Sequence, residues 1–524
     1  MPNPVDWLLT KAERGNPATR LDAAHPGDEA WSEGNVVRPL IHGSTYFAEL
    51  YERIEATSAG DLVLFTDWQG DADERLTGAP GSEVSEVLGR ADERGVDVRG
   101  LVWRSHSEAM GFTARENLHL GRVLQRRGVE AILDMRVRTG GSHHQKLVVI
   151  RHRDDPTRDI AYVGGIDLCH SRRDDADHGG DPQALDTMAE EYGGTPPWHD
   201  VQAAISGPAV HDVETVFRER WEDPTTLRRS PIVLLRDRLR GLDTKPDPLP
   251  PQAAPPPAVP DGRHVVQLLR TYPNLRRGRD YEFARGGERS VARGYTKAIQ
   301  RARHLVYVED QYLWGDHVGS VLTEALRAHP ELHVIAVVPM HPDVAGFNRS
   351  AQLVGRRRAM LGMAEAAPDR FAVYGIENHA GVPVYVHAKT CVVDDTWTTI
   401  GSDNFNRRSW THDSELSAVV LDPDEEFART LRLTLAAEHL DRRPEDSMTD
   451  CVEAAGMFAT YADSAAALDQ WHAGGRVGPR PPGRLRRLQP PELGRATRAL
   501  ALAPYLWLHD PDGRPKSLRQ KDEF

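Results

Sequence analysis

The sequence predicts an α/β protein of two pseudo-twofold-related lobes, each a β-sheet flanked by helices, with an active site at their interface. Three observations carry this reading. A short chemical pattern, His-x-Lys followed by an apolar, β-branched-rich run and then a glycine turn, occurs at His144 and again at His387, 243 residues later. Helix-like and strand-like segments alternate in the same order around each copy. A proline-rich stretch, residues 243–262, stands between the two series with eight prolines in twenty residues.

The elements pair off along the chain. Residues 44–60 have helical spacing and feed the strand-like run 61–68; in the second half, 288–302 feed 304–313. Residues 82–95 with 96–104 are matched by 319–330 with 331–339, and 115–128 with 129–135 by 351–367 with 371–376. Such alternation favours sheets covered by helices. The proline-rich stretch cannot build a strand ladder and favours extended polyproline II, so it reads as the linker between lobes. The expected organisation is an N-terminal extension (1–30), a first lobe (31–242), the linker (243–262), a second lobe (263–440) and a C-terminal extension (441–524). Within that last extension, 450–475 reads as helical, 478–494 as irregular and basic, and the Asp-Pro-Asp-Gly at 510–513 as the turn of a closing hairpin.

Composition excludes several classes. Of 524 residues, 39% are hydrophobic and 27% charged, as in globular domains. No apolar run approaches the roughly 20 residues needed to span a bilayer. The N-terminus lacks a basic head followed by an apolar stretch, so a cytoplasmic, monomeric protein is expected. Three cysteines, Cys169, Cys391 and Cys451, form neither a disulfide framework nor metal-site spacing. No metal and no cofactor are expected. A formal net charge of −13 weakens a nucleic-acid partner and strong attraction to anionic membranes.

The duplicated motif fits phosphodiester chemistry. On a strand, residues i and i+2 share a side, so His144 projects with Lys146 and His387 with Lys389, while His143 points the other way. Lysine donates to phosphate oxygens, and glycine lets backbone amides approach them. One imidazole can attack phosphorus while the other protonates the leaving alkoxide. Carboxylates that orient the imidazoles complete such a site. Asp174 and Glu415 stand at comparable places after the two glycine turns. Of the remaining histidines, His42, His211, His304, His333 and His439 read as core or surface residues, and His199 as core or as support for the first lobe. Trp68, Trp103 and Trp198 read as core.

At these residues the chain resembles the phospholipase D superfamily, whose signature is a duplicated H-x-K-x4-D followed by GG or GS. The second copy matches fully, with His387, Lys389, Asp394, Gly401, Ser402 and Asn404. The strings GGIDLCHSRRD (164–174), PWHDV (197–201), VVQLLRTYP (265–273), YVEDQYL (307–313), VVPMHP (337–342) and GSDNFNRRSWTHDSELS (401–417) are similar to the true phospholipase D branch. The likeness runs from about residue 31 to residue 440. It implies His144 as nucleophile, His387 as general acid and the two lysines as phosphate clamps. It places Gly165, Asp167, Ser402 and Asn404 at turns that face the phosphate, and Asp174 and Glu415 behind His144 and His387. Asp394 becomes a structural brace. The implied substrate is a phospholipid or another phosphodiester, with peripheral membrane contact and exchange of a headgroup through a phosphohistidine. A nuclease of the same superfamily and a weakened phosphate- or lipid-binding homologue are the other readings. The second of these rests on a departure: the first motif has Arg151 where an acid is expected, with Asp154 or Asp155 as candidate replacements. His144 to Gly165 also spans 21 residues, against 15 from His387 to Ser402, which places an enlarged hairpin loop at 151–159.

Overall fold

A computed structural model of the chain describes residues 3–106, 113–184, 188–227, 231–239, 241–275, 280–344 and 346–524. The strands of the first half are β1 (Ser32–Ile41), β2 (Leu62–Asp67), β3 (Asp97–Trp103), β4 (Glu130–Asp134), β5 (Leu147–Arg151), β6 (Ile160–Gly164), β7 (Trp198–His199) and β8 (Val201–Ser206). Those of the second are β9 (His264–Tyr272), β10 (Glu288–Arg289), β11 (Leu305–Asp310), β12 (His333–Val337), β13 (Phe371–Ile376), β14 (Tyr385–Val386), β15 (Lys389–Val393), β16 (Trp397–Gly401) and β17 (Glu415–Leu421); β18 (Leu485–Leu488) follows in the tail.

Outward from the middle, the first half runs β1-β8-β6-β5-β2-β3-β4 and the second β9-β17-β16-β15-β11-β12-β13. Position for position these orders match, including the parallel pairs β2–β3–β4 and β11–β12–β13 within otherwise antiparallel runs. The two runs are not separate sheets. Antiparallel pairing of β1 with β9, such as Ser32 opposite Val266, joins them into one sheet.

Alternation along each strand explains the layers. Leu64, Val149 and Val163 face one core with Leu268, Val392 and Ile400 of the second half. Val63, Val148 and Tyr162, one residue away, face a second core under the helices Gly43–Glu55, Val84–Glu93 and Ala114–Arg126. The second half repeats this with Ser290–Arg301, Asp316–Ala328 and Gly346–Ala366. The shared core is closed by Ala209–Trp221 and Glu426–His439, one helix from each half.

Residues 243–262 carry no helix or strand but are pinned to the body: Trp221 Nε1 donates to Asp247 O at 2.8 Å and Val259 N to Gly34 O at 2.9 Å. The tail departs from expectation twice. Residues 485–488, read as irregular, form β18 along the exposed side of β13, where their backbone groups complete the ladder. The Asp-Pro-Asp-Gly segment is not a hairpin turn; it links helical turns Tyr505–His509 and Lys516–Lys521, and Asp510 is drawn inward to accept from Tyr505 OH at 2.6 Å. No helix among the described residues is long and apolar enough to cross a membrane.

Candidate active site

The two motifs meet across the pseudo-twofold axis, and each is held by the other half. Residues 142–144 run beside 413–415: Ser142 N donates to Asp413 Oδ1 at 2.8 Å and His144 N to Ser414 O at 2.9 Å. The mirror arrangement sets β14 parallel to β7, with His387 N donating to His199 O at 2.7 Å. These pairings bring each imidazole to a carboxylate of the opposite half. His144 Nδ1 lies 2.9 Å from Glu415 Oε2, and His387 Nδ1 lies 2.7 Å from Asp200 Oδ2. Bound through Nδ1, each ring has its Nε2 left for chemistry.

The lysines sit just behind. Lys146 Nζ donates to His144 O at 2.9 Å and stands 3.6 Å from Asp167 Oδ1; Lys389 Nζ donates to His387 O. His144 precedes β5 and His387 lies between β14 and β15, so the motif histidines occupy the entry to the strands and not the ladder itself.

Burial dominates the electrostatics. It holds His144 well below the ordinary imidazole value, with the charges of Lys146 and Lys389 adding to the effect. His387 is likewise held well below, first by burial, then by Lys389, Arg172, Lys146 and His144. Each ring therefore senses the lysines of both halves, as expected of one composite site. Burial brings Lys389 down to about 8 against the pull of Asp200. Burial, aided by Asp413, pushes Glu415 up to about 8, and burial raises Asp200.

The profile of the family described as phospholipase D matches residues 57–337, and that of the cardiolipin synthase phospholipase D-like domain matches 296–436. The chain belongs to the phospholipase D superfamily. It is 26% identical over 517 residues to phospholipase D alpha 1 of Cynara cardunculus, covering 72% of this chain and 62% of that protein. With phospholipase D beta 1 of Arabidopsis thaliana it shares 26% over 533 residues, covering 76% of this chain and 48% of the relative. The chain thus spans less than two thirds of the length of these curated relatives. Among solved structures, phosphatidylserine synthase from Haemophilus influenzae Rd KW20 superposes with a TM-score of 0.51 at 13% identity, covering 82% of this chain and 93% of that one, a likeness of fold.

Several expected residues stand elsewhere than the motif suggested. Asp174 reaches neither motif histidine: its Oδ2 accepts from Trp198 N at 2.7 Å and lies 3.6 Å from His178 Nδ1. Strand register explains the difference. Gly164 faces Gln202 on β8, and Gly401 faces Ser417 on β17, so the counterpart of Glu415 is Asp200. Asp200 follows Gly164 by 36 residues whereas Glu415 follows Gly401 by 14, because the first half carries an insertion there. Of the four turn positions, Gly165 clears room for Asp200, since a Cβ there would lie 2.5 Å from Oδ1. Ser402 Oγ donates to Glu415 Oε2 at 2.6 Å. Asp167 Oδ1 accepts from Trp68 N at 3.1 Å and Gln69 N at 3.2 Å while facing Lys146. The Asn404 side-chain oxygen is buried without a partner.

Three further residues border the site. The Trp198 ring lies tilted against that of His387, centroids 4.8 Å apart, with the Arg172 guanidinium 3.8 Å above the indole. Trp68 meets His144 edge-on at 5.9 Å. The signal for Asp200 and Trp198 was the Pro-Trp-His-Asp string and that for Arg172 the string 164–174, while Trp68 read as core. Asp394 accepts from His304 N and Leu305 N at 2.9 and 2.8 Å, bracing the start of β11. Arg151 pairs with Asp159 at 2.8 Å and Glu214 at 2.6 Å, and neither Asp154, whose side chain is 95% exposed, nor Asp155, which binds Thr157, takes its place. His42, His178, His199 and Glu438, dispersed in sequence, converge in space behind β7.

Proposed function

We propose that the chain is a phospholipase D-type phosphodiesterase and phosphatidyltransferase, which cleaves or exchanges a phospholipid headgroup through a phosphohistidine. The observation that carries the reading is the reciprocal pair His144–Glu415 and His387–Asp200, each spanning the two halves, with Lys146 and Lys389 beside them.

In the first step His144 Nε2 attacks phosphorus while the bond from phosphorus to the headgroup oxygen breaks. His387 Nε2 gives its proton to that oxygen, so a neutral alcohol leaves. The arriving anionic diester raises the proton affinity of His387, offsetting the burial that otherwise empties it. In the second step His387 takes a proton from water or an alcohol, whose oxygen attacks phosphorus as the N–P bond breaks. Water yields phosphatidate; an alcohol yields a phosphatidyl alcohol. Lys146 and Lys389 donate to the non-bridging oxygens throughout, where negative charge builds in the transition state.

A lipid is favoured over nucleic acid. The net charge is −13, and apolar side chains are exposed near the site: Trp507 is 80% exposed and Leu508 49%. Arg408 ties that segment to the motif, donating to Leu508 O and to Gly140 O, each at 2.8 Å. Incubation with phosphatidylcholine vesicles and a primary alcohol, beside single-stranded DNA, tests the reading. Phosphatidyl-alcohol and free choline are expected. Cleavage of DNA with no lipid product would sink it.

A further inference from the structure

We propose that His42, His178, His199 and Glu438 form a zinc-class structural metal site that staples the two halves together behind the catalytic pair. His42 Nε2 lies 2.7 Å from Glu438 Oε2; His178 Nε2 and His199 Nδ1 lie 2.9 and 3.2 Å from Glu438 Oε1. The three rings are mutually close, with centroids 4.7 to 5.6 Å apart. All three histidines are at most 1% exposed.

A second observation lies behind the donors. Metal-bound histidines direct their other ring nitrogen to a carboxylate or carbonyl. His199 Nε2 meets Glu309 Oε2 at 2.6 Å, and Glu309 is itself held by His439 Nε2 at 2.7 Å. His178 Nδ1 faces Asp174 Oδ2 at 3.6 Å. His199 thus has a carboxylate at each ring nitrogen, Glu438 at Nδ1 and Glu309 at Nε2. One divalent ion would take the three inward nitrogens and leave His199 Nε2–H for Glu309 and His178 Nδ1–H facing Asp174, while His42 Nδ1 is buried without a partner.

Three imidazole nitrogens and one carboxylate are a closed, four-donor set of borderline softness, which suits Zn²⁺ and leaves no position for substrate. An ion about 2.0–2.2 Å from each donor needs the donors roughly 3.3–3.6 Å apart, and the four donor atoms already lie within 4.8 Å of one another, so binding draws the rings inward while Glu438 gives way. His42 starts the helix Gly43–Glu55, His178 lies in the inserted segment, His199 is on β7, and Glu438 comes from the helix Glu426–His439 of the other half. The site is thus a positioning device: His199 precedes Asp200, and its carbonyl accepts from His387 N and Ala388 N at 2.7 and 3.2 Å.

The test uses the full chain purified without chelator. Elemental analysis should find about one zinc per molecule, as structural sites retain their ion. That metal should be lost from His178→Asn and from Glu438→Gln. Chelation should lower the melting temperature, and added Zn²⁺ should restore it. The metal-free protein reconstituted with Co²⁺ should show the visible bands of tetrahedral cobalt. His178→Cys should keep the ion and add a thiolate charge-transfer band, an outcome that a hydrogen-bond network cannot give. Folded wild-type protein that holds no zinc, binds no added Zn²⁺ or Co²⁺ and melts unchanged in their presence would overturn the proposal. So would zinc that persists undiminished in folded His178→Asn or Glu438→Gln.

Discussion

His144 Nδ1 meets Glu415 Oε2 at 2.9 Å, although one belongs to the first half of the chain and the other to the second. His387 and Asp200 repeat the contact in reverse at 2.7 Å. Neither half orients its own motif histidine. A single lobe would present a histidine without its carboxylate, so the duplication within one chain is a requirement of the site. The short pairings of 142–144 with 413–415 and of β14 with β7 bring the partners together.

Removing the orienting charge should therefore be costly at Glu415 and Asp200 and mild at Asp174. Glu415→Gln and Asp200→Asn should each lower kcat by about 10²–10⁴-fold with little change in KM, as when the carboxylate behind a catalytic histidine is neutralised. Asp174→Asn should act on stability, through Trp198 N and His178, and much less on the chemical step. Steady-state kinetics on a soluble diester separate these outcomes. A larger loss at Asp174 than at Asp200 would contradict the crossed arrangement.

The histidines and lysines should divide their labour. His144→Ala and His387→Ala should abolish turnover, because no other imidazole replaces the attacking or proton-donating nitrogen. Lys146→Ala and Lys389→Ala should each lose about 10²–10³-fold, the scale of one lost charge-stabilising donor. Quenching under neutral conditions and peptide mapping should place the phosphoryl label on the peptide carrying His144. A label on the His387 peptide would reverse the two roles.

Activity on a soluble diester should rise as pH approaches about 8 and fall again above it, where Lys389, also brought to about 8, loses its proton. Glu415, pushed up to about 8 by burial and by Asp413, keeps its proton below that pH. A neutral carboxyl donates to His144 Nδ1, which leaves the ring proton on Nε2, where it blocks attack. Loss of the carboxyl proton lets Nδ1–H donate instead and frees the Nε2 lone pair. Activity is thus lost as pH falls through the Glu415 value. Glu415→Gln should flatten this rising limb along with lowering kcat. A limb unchanged in that variant would assign the titration to another group.

Much of this was legible in the sequence, and the gaps share one cause. The repeated helix–strand order and the His-x-Lys pairs follow from local spacing and chemistry, which a linear pattern records, whereas Glu415, expected behind His387, stands behind His144 of the other half. Asp200 escaped because its equivalence to Glu415 is fixed by ladder register across β6–β8 and β16–β17, and an insertion hid it from residue counting. The convergence of His42, His178, His199 and Glu438 joins positions up to 396 residues apart, which no local spacing encodes. β18 was missed for a similar reason: Leu485–Leu488, rich in arginine, becomes a strand because β13 offers unpaired backbone groups.

Arg151 should prove to be a structural cation whose removal spares the chemistry. Its guanidinium binds Asp159 at 2.8 Å, Glu214 at 2.6 Å and Ala254 O at 2.7 Å, and both acids are 1% exposed. Arg151→Asp would place a third carboxylate beside two buried ones and leave all three without this cation. Breaking a buried pair in this way costs about 3–5 kcal/mol. The bracing that the motif acid gives the second half is also supplied here from the facing strand. Asp394, after β15, accepts from the amides that open β11, whereas Asp61, before β2, accepts from Arg153 N at 2.9 Å beyond β5. In the first half the acid that ties these two strand ends together thus stands on the β2 side. The urea midpoint of Arg151→Asp should fall sharply, while kcat per folded molecule stays within a few-fold of wild type. A marked gain in activity would instead mean that arginine impairs the first motif.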